Sequence, residues 1–249
     1  MRSSDALIIT SRHNPHFKDL ARARQDKNLL ALEGRRLVEE ALARGLAPQL
    51  CAVTLDYIKQ NGPPPTPHLV LTDDLLAHLS DTRTPQGIVL FVNRPYATLT
   101  DVARLDRLII LDGVQDPGNV GSIVRTAEAF GFGGIIIAPG TASPFSDKAV
   151  RASMGSFLGV AIAQADYLAL SSGLDHRLIG LALQASAPLK RDLFTGRYAI
   201  CLGQEGRGLS PELLSLSQNL ISIPMPGPTE SLNVAAAAAI VLACAAGVI

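Results

Sequence analysis

Residue types that could take part in chemistry are concentrated in three glycine- or proline-rich segments, residues 112–127, 202–211 and 223–234. A guanidinium binds phosphate and stabilises developing negative charge, whereas amide, hydroxyl and carboxylate groups orient a polar substrate. All five histidines and all three cysteines lie outside these segments, and the cysteines lack disulfide or metal-ligand spacing. The polar residues that these segments offer include Asn119, Arg125, Glu205, Ser231 and Asn233, and the cysteines offer no zinc site.

The first two segments also have ordinary structural explanations. Asn119 follows a turn sequence and is a suitable helix N-cap, and Arg125 could pair with Glu128 three residues on. The second segment could be a tight strand-to-helix turn, with Ser210 as the cap and Pro211 at the first helical position. Taken singly, neither segment identifies a function.

The third segment carries more information. Its prolines and glycine restrict the backbone before Ser231 and Asn233, which open an otherwise apolar helical stretch. Either residue could be only an N-cap, but one helix start needs one cap. At least one of the two is therefore available for another role.

Two nucleotide-binding patterns do not fit the sequence. Gly113 and Gly118 have the spacing of a phosphate loop, but Asn119 and Val120 stand where lysine and serine or threonine are required. No three-glycine dinucleotide fingerprint occurs, which argues against a nucleotide-dependent oxidoreductase.

The three segments must be positioned by strands and helices. From Leu105 onward, helical patterns alternate with apolar runs at 108–111, 135–138, 178–183, 199–202 and 220–223. This alternation predicts an α/β fold with a parallel sheet flanked by helices, one of them starting at about Asn119. Ligands of such sheets bind beyond the carboxyl ends of the strands, so the three segments should meet at one edge.

Composition indicates a globular chain with no global attraction to nucleic acid, since 47% of its residues are hydrophobic and 22 basic residues balance 22 acidic ones. The scattered cysteines are expected to be buried thiols in a reducing compartment. The N-terminus has no export signal, which predicts a cytoplasmic location. The longest apolar run, residues 234–249, is mostly alanine and shorter than the roughly 20 residues of a membrane span, so we expect a buried helix there.

The N-terminal part, residues 1–93, has a different rhythm, and a linker over 94–104 should separate it from a domain at 105–249. A proline stretch at 63–67 should form an exposed loop. Residues 11–36 hold seven basic side chains against three acidic ones, a local net charge of +4 that suits phosphate contacts. A solvated helix with salt bridges would have the same composition.

Together the three segments resemble the signature motifs of the SpoU/TrmH family of RNA ribose 2′-O-methyltransferases, within the SPOUT superfamily. The resemblance covers residues 112–131, 202–209 and 223–237 in the family's order, and residues 150–156 are similar to its linking segment. The N-terminal part resembles the substrate-binding domain of the ribosomal-RNA branch of that family. The matching pieces are residues 9–12, 14–15, 32–34 and 84–87.

The resemblance implies a C-terminal deep trefoil knot, an exception to the rule that protein chains are unknotted. It also implies S-adenosylmethionine as the cofactor, bound in an apolar slot by backbone groups, and a homodimer whose subunits complete each other's sites. The positions that would line the slot are Gly203, Ile223, Met225 and Leu232. The family's catalytic positions fall on Asn119, Arg125, Glu205, Ser231 and Asn233.

The function that follows is transfer of a methyl group to a ribose 2′-hydroxyl of structured RNA, with ribosomal RNA as the expected substrate. Alternatives are a transfer-RNA methyltransferase and a non-catalytic RNA-binding or ribosome-assembly protein on the same fold. We expect RNA contacts outside the active site from Arg12, Asn14, Lys18, Arg22 and Arg35.

Arginine is a poor base because its pKa lies above about 12. We therefore expect Arg125 to contact the phosphate next to the target and to stabilise the developing alkoxide. The polar side chains Asn119, Ser231 and Asn233 would orient the ribose and Arg125, and Glu205 would fix the second segment.

Overall fold

The computed structural model describes residues 8–82, 84–183, 185 and 187–249, and it divides into two compact units, Met1–Pro95 and Tyr96–Ile249. Each unit is built on its own sheet, with five strands in the first and seven in the second.

The first unit packs helices against a mixed sheet. Its strands are β1 Ile8–Ile9, β2 Leu29–Glu33, β3 Pro48–Thr54, β4 Leu69–Leu71 and β5 Ile88–Asn93. Its helices are α1 Pro15–Gln25, α2 Arg35–Ala43, α3 Leu55–Asn61 and α4 Asp73–Leu79. The strand order is β1-β4-β3-β5-β2, with β5 antiparallel to β2 and β3. The apolar sides of α1 and α4 pack with β3 and β5 in one core, through residues such as Leu20, Leu76 and Phe91.

The second unit is a parallel sheet flanked by helices. Its strands are β6 Arg107–Asp112, β7 Gly134–Ile137, β8 Ala161–Gln164, β9 Arg177–Leu181, β10 Ala187–Pro188, β11 Tyr198–Gly203 and β12 Asn219–Ser222. Its helices are α5 Leu99–Val102, α6 Pro117–Ala129, α7 Asp147–Ser153, α8 Tyr167–Gly173, α9 Pro211–Leu216 and α10 Val234–Ala245. The strand order is β10-β12-β9-β11-β6-β7-β8, and every pairing is parallel. Strands β6, β7 and β11 are buried almost throughout, as expected for a parallel sheet covered on both faces.

The structure confirms the predicted α/β fold with a parallel sheet, but the start of α6 differs from the prediction. The helix begins at Pro117, and its N-cap is Asp116, whose side chain accepts a hydrogen bond from the Gly118 amide at 2.8 Å. Proline at the first helical position lacks an N–H and fits there, which moves the cap three residues ahead of Asn119. Asn119 therefore lies inside the first turn, and its side chain is not used as a cap.

Most of the segment expected to be a linker is packed into the second unit. Val102 is fully buried in the core, and the ring of Tyr96 meets that of Phe145 edge-on, with centroids 4.7 Å apart. Thr98 caps α5 by accepting a hydrogen bond from the Asp101 amide. The Thr98 cap, the burial of Val102 and the ring contact of Tyr96 thus give ordered structure to a segment that had few strong apolar residues in the sequence.

The cysteines are buried, as predicted, and so is much of the apolar C-terminal run, although Val248 and Ile249, beyond the end of α10, are exposed. Burial raises the pKa of the Cys51 and Cys201 thiols to about 12, so both keep their protons at neutral pH. Helix α10 buries residues on several sides, among them Val241 and Leu242. Within the described residues, no helix is long and apolar enough to cross a membrane. The proline stretch is an irregular loop, although Pro64 within it is buried.

Candidate active site

The three polar segments follow strands that end at the same edge of the second sheet. Strands β6 and β11 are neighbours, with Asp112 in register with Gly203, and β9 separates β11 from β12. Because all three strands run parallel, the loops after them emerge together. The sheet thereby gathers residues that are more than a hundred positions apart in the chain.

A row of hydrogen bonds links one residue from each loop. Asn119 Nδ2 donates to Glu205 Oε1 at 2.5 Å, and Asn233 Nδ2 donates to Asn119 Oδ1 at 3.2 Å. Asn233 Oδ1 accepts from the amides of Ala235 and Ala236, which makes Asn233 the N-cap of α10. A carboxylate only accepts and helix amides only donate, so both ends of the row fix the orientation of the two asparagine amides. Asn233 is thus both a cap and a member of the site, a combination that the sequence left open.

Arg125 and Ser231 lie outside this row. Arg125 is on the exposed side of α6, and its guanidinium makes no hydrogen bond or ion pair with any described residue, Glu128 included. Ser231 is exposed and lines the adjacent cleft. Within the part of the chain that is described, both side chains are therefore available to a bound molecule. The pairing of Arg125 with Glu128 considered from the sequence is not formed.

An apolar cleft opens beside the row, with an empty volume of about 630 Å³ counting the space open to solvent. This is a normal size for a site that binds a cofactor. Its described lining residues are Leu181, Ala182, Leu183, Leu202, Gly203, Gln204, Glu205, Gly208, Ile223, Met225, Ser231, Leu232, Val234 and Ala237. All four predicted cofactor contacts are among them.

The sequence missed the wall that is formed by the end of β9. Leu181, Ala182 and Leu183 have no polar or glycine signature, so they resembled ordinary core residues. Only their place in the sheet indicates that they line the cleft. Strand β9 lies next to β11, and residues at the carboxyl end of β11 also border the cleft.

The lining of the cleft fits S-adenosylmethionine. The backbone N–H groups of Ile223, Met225 and Leu232 make no hydrogen bond with a described residue, and such donors match the ring nitrogens of an adenine. The neighbouring walls are apolar, which suits the flat faces of the base. Glu205 is the charged side chain among the described lining residues, and a carboxylate is compatible with a positively charged sulfonium.

Comparison with known protein families shows the family to which the chain belongs. Residues 106–243 match the model of the SpoU rRNA Methylase family, which is more than half of the chain. The chain belongs to the SpoU rRNA methylase family. It is an S-adenosylmethionine-dependent RNA methyltransferase. Residues 17–90 match the model of an MRM3-like substrate binding domain, within the first unit.

Relatives of this SpoU methylase extend over nearly its whole length. It is 31% identical over 246 residues to the 23S rRNA (guanosine(2553)-2′-O)-methyltransferase RlmP of Bacillus subtilis, covering 94% of this chain and 97% of the relative. It is similar to the crystal structure of an rRNA methyltransferase from Sinorhizobium meliloti, with a TM-score of 0.84, 28% identity and 98% of each chain covered. The AdoMet-bound structure of an rRNA methyltransferase from the same organism gives a TM-score of 0.83 at 27% identity, again with 98% of each chain covered.

In the first unit, several of the predicted RNA contacts already bond other residues of the chain. Asn14 caps α1, Arg22 pairs with Asp19 at 3.1 Å, and Arg35 pairs with Glu39 at 2.6 Å. The hydrogen bond from Arg35 to Glu39 raises the pKa of Arg35. Arg12 lies 3.3 Å from His78 Nδ1, and Lys18 is exposed. The salt-bridged helix considered as an alternative is therefore partly present, and Arg12 and Lys18 are the freest of the predicted contacts.

Proposed function

We propose that this SpoU-family enzyme transfers a methyl group from S-adenosylmethionine to a ribose 2′-hydroxyl of ribosomal RNA. The observation that carries the proposal is the hydrogen-bonded row of Glu205, Asn119 and Asn233 at the mouth of an apolar cleft. A polar array beside a cofactor-sized slot is suited to holding a hydroxyl group next to a methyl donor.

When it is bound, the cofactor supplies an activated methyl group on a sulfonium, so the remaining tasks of the chain are to align the hydroxyl and to manage its proton. Asn119 and Asn233 orient the ribose because their amides are held rigidly from both ends of the row. Ser231, on the wall of the cleft, adds a hydroxyl that can donate or accept. Glu205 holds the second loop against α6.

Arg125 has a separate electrostatic role in this proposal. Its free guanidinium contacts the phosphate next to the target nucleotide and stabilises the negative charge that develops on the 2′-oxygen. A planar guanidinium can engage two oxygens at once, which a lysine ammonium cannot reproduce.

The choice of ribosomal RNA rests on the substrate-binding domain and on the relatives, whose names specify rRNA. Exposed basic residues of the first unit, above all Arg12 and Lys18, would contact phosphates. A ribosomal substrate also agrees with our prediction of a cytoplasmic location.

We extend the proposal to the fold and the assembly. The interleaved order of the parallel strands, with β11 between β6 and β9, is compatible with a deep trefoil knot in the second unit. The assembly in this proposal is a homodimer with the apolar C-terminal helix α10 as part of the interface, since its alanines permit close helix packing.

The test is methyl transfer to ribosomal RNA by the full chain and by Arg125→Lys. Mapping 2′-O-methyl groups in ribosomal and transfer RNA, with and without the protein, should give one ribosomal site that depends on it. Arg125→Lys should lower kcat about 100-fold or more, since an electrostatic contact to the transition state is lost. Arg104→Lys, at an exposed arginine that pairs with Asp101, is the matched control and should behave as wild type. Near-normal methylation by Arg125→Lys would contradict the role of Arg125, and a site found only in transfer RNA would contradict the substrate.

A further inference from the structure

Asp112, the last residue of β6, is a buried carboxylate that has no part in the proposed chemistry. It is 2% exposed and is the one buried aspartate or glutamate among the described residues. No described lysine, arginine or histidine forms an ion pair with it. A buried charge without a cation is expensive unless hydrogen bonds satisfy both of its oxygens. The partners of Asp112 therefore indicate why it is there.

Each oxygen of Asp112 accepts one hydrogen bond, and each partner belongs to a different element. Oδ1 accepts from the Tyr167 hydroxyl at 2.7 Å, at the start of α8. Oδ2 accepts from the backbone amide of Ser210 at 2.7 Å, at the end of the loop that carries Glu205. Burial is the main cause that raises the pKa of Tyr167, so its hydroxyl keeps the proton that it donates.

Asp112 lies next to both ends of the loop between Gly203 and Ser210 and bonds its Ser210 end. At its start, the backbone of Asp112 is in register with Gly203 in the neighbouring strand. The backbones of Gln204 and Gly208 then bond each other in both directions, at 3.0 and 2.8 Å. At its end, Ser210 is bound by the Asp112 carboxylate. Glu205 lies between these points and reaches Asn119.

From this geometry we infer that Asp112 is a positioning residue for methyl transfer, which holds the Glu205 loop so that Glu205 can fix Asn119. The inference rests on the proposed function of the same site. Asp112 touches neither the cleft nor the row of hydrogen bonds itself, and it acts through Ser210 and the loop.

Variants of Ser210 isolate the decisive hydrogen bond without changing Asp112. Ser210 has φ −61° and ψ 154°, values that proline adopts readily, and its side chain caps α9 by accepting from Leu213. Ser210→Ala removes the cap but keeps the amide that Asp112 binds. Ser210→Pro removes both, so the difference between the two variants reports the Asp112 contact.

The experiment measures kcat and KM for RNA methylation by the full chain, together with thermal unfolding. We expect Asp112→Ala to lower kcat about 10- to 100-fold relative to wild type, because a hydrogen bond to a charged group is lost. Ser210→Pro should lower kcat by a similar factor relative to Ser210→Ala. KM for RNA should stay nearly unchanged in both variants. Asp112→Asn should recover most of kcat, since its amide oxygen accepts from Ser210 and its amide group donates to the Tyr167 oxygen.

A cycle with Glu205→Ala separates positioning from general stability. If Asp112 acts through Glu205, Asp112→Ala should reduce kcat little further in the Glu205→Ala background. An equal loss in both backgrounds, or wild-type kcat in both Asp112→Ala and Ser210→Pro, overturns the inference. If Asp112→Ala does not fold, the comparison of the two Ser210 variants decides in its place. A wild-type enzyme without ribose methylation would instead sink the proposed function, so the two failures are distinguishable.

Discussion

Asn119 illustrates how one residue acquires its role from its neighbours. Asp116 caps α6 and leaves the Asn119 amide free to bridge Glu205 and Asn233. The sequence contained the signal for this arrangement, since aspartate followed by proline is a common helix start. The bridge itself could not be read from the sequence, because its partners lie 86 and 114 residues away.

Replacing Asn119 with a carboxylate tests this bridge. In Asn119→Asp a second carboxylate faces Glu205, and two such groups at hydrogen-bond distance cannot both remain ionised, which raises the pKa of the pair. We expect kcat at about pH 8 to fall about 10- to 100-fold, as one acceptor loses its donor. Relative to wild type, activity should recover towards about pH 6, because the shared proton restores a hydrogen bond.

The control is Asn219→Asp, at the start of β12 and away from the carboxyl edge of the sheet. It should follow the wild-type pH profile of kcat. A flat ratio of Asn119→Asp to wild type across this pH range would exclude a coupled pair with Glu205.

At the scale of elements, the loop after β11 is shaped by a glycine that has no room for a side chain. A Cβ on Gly203 would collide with the backbone carbonyl group of Gly208. A Cβ on Gly206, in the same loop, would meet nothing within 4 Å, and Gly206 has no left-handed φ. The two glycines therefore differ in what a side chain would meet, which depends on the distance between backbone segments in the fold.

Gly203→Ala and Gly206→Ala form a matched pair for this loop. Overpacking of this kind costs about 1–3 kcal/mol, so Gly203→Ala should weaken S-adenosylmethionine binding about 10-fold or more. Gly206→Ala should bind as wild type does. Isothermal calorimetry gives both affinities, and thermal unfolding shows whether the fold persists. Equal affinities for the two variants would mean that the loop does not border the cofactor site.

At the scale of the whole molecule, the 22 basic and 22 acidic residues cancel, so an excess of positive charge can exist only in local patches. In the first unit, several arginines are paired with acids, such as Arg44 with Glu40 at 3.1 Å, whereas Lys18 has no ion pair among the described residues. Attraction to RNA must therefore come from a few residues. Composition alone could not separate paired from unpaired charges, since pairing depends on which residues share a helix face.

The salt dependence of RNA binding measures these contacts. Each phosphate contact contributes about 0.7 to 0.9 to the slope of log affinity against log salt concentration. We expect Arg12→Gln and Lys18→Gln each to lower the slope by about that amount. Arg44→Gln, which removes a paired arginine, should leave it unchanged. A slope unaffected by either of the first two substitutions would place RNA binding elsewhere on the protein.

The sequence by itself determined the class of fold, the three polar loops and the family, because strand periodicity and motif order are local properties of the chain. The four residues that it predicted as cofactor contacts, Gly203, Ile223, Met225 and Leu232, all line the cleft. Only the tertiary structure decided that Asp116 caps α6, that β9 forms a wall of the cleft and that Asp112 binds Ser210. Those facts depend mainly on which strands are neighbours in the sheet. Long-range strand pairing brings together residues that are far apart in the sequence, and their spacing along the chain does not show that they are in contact.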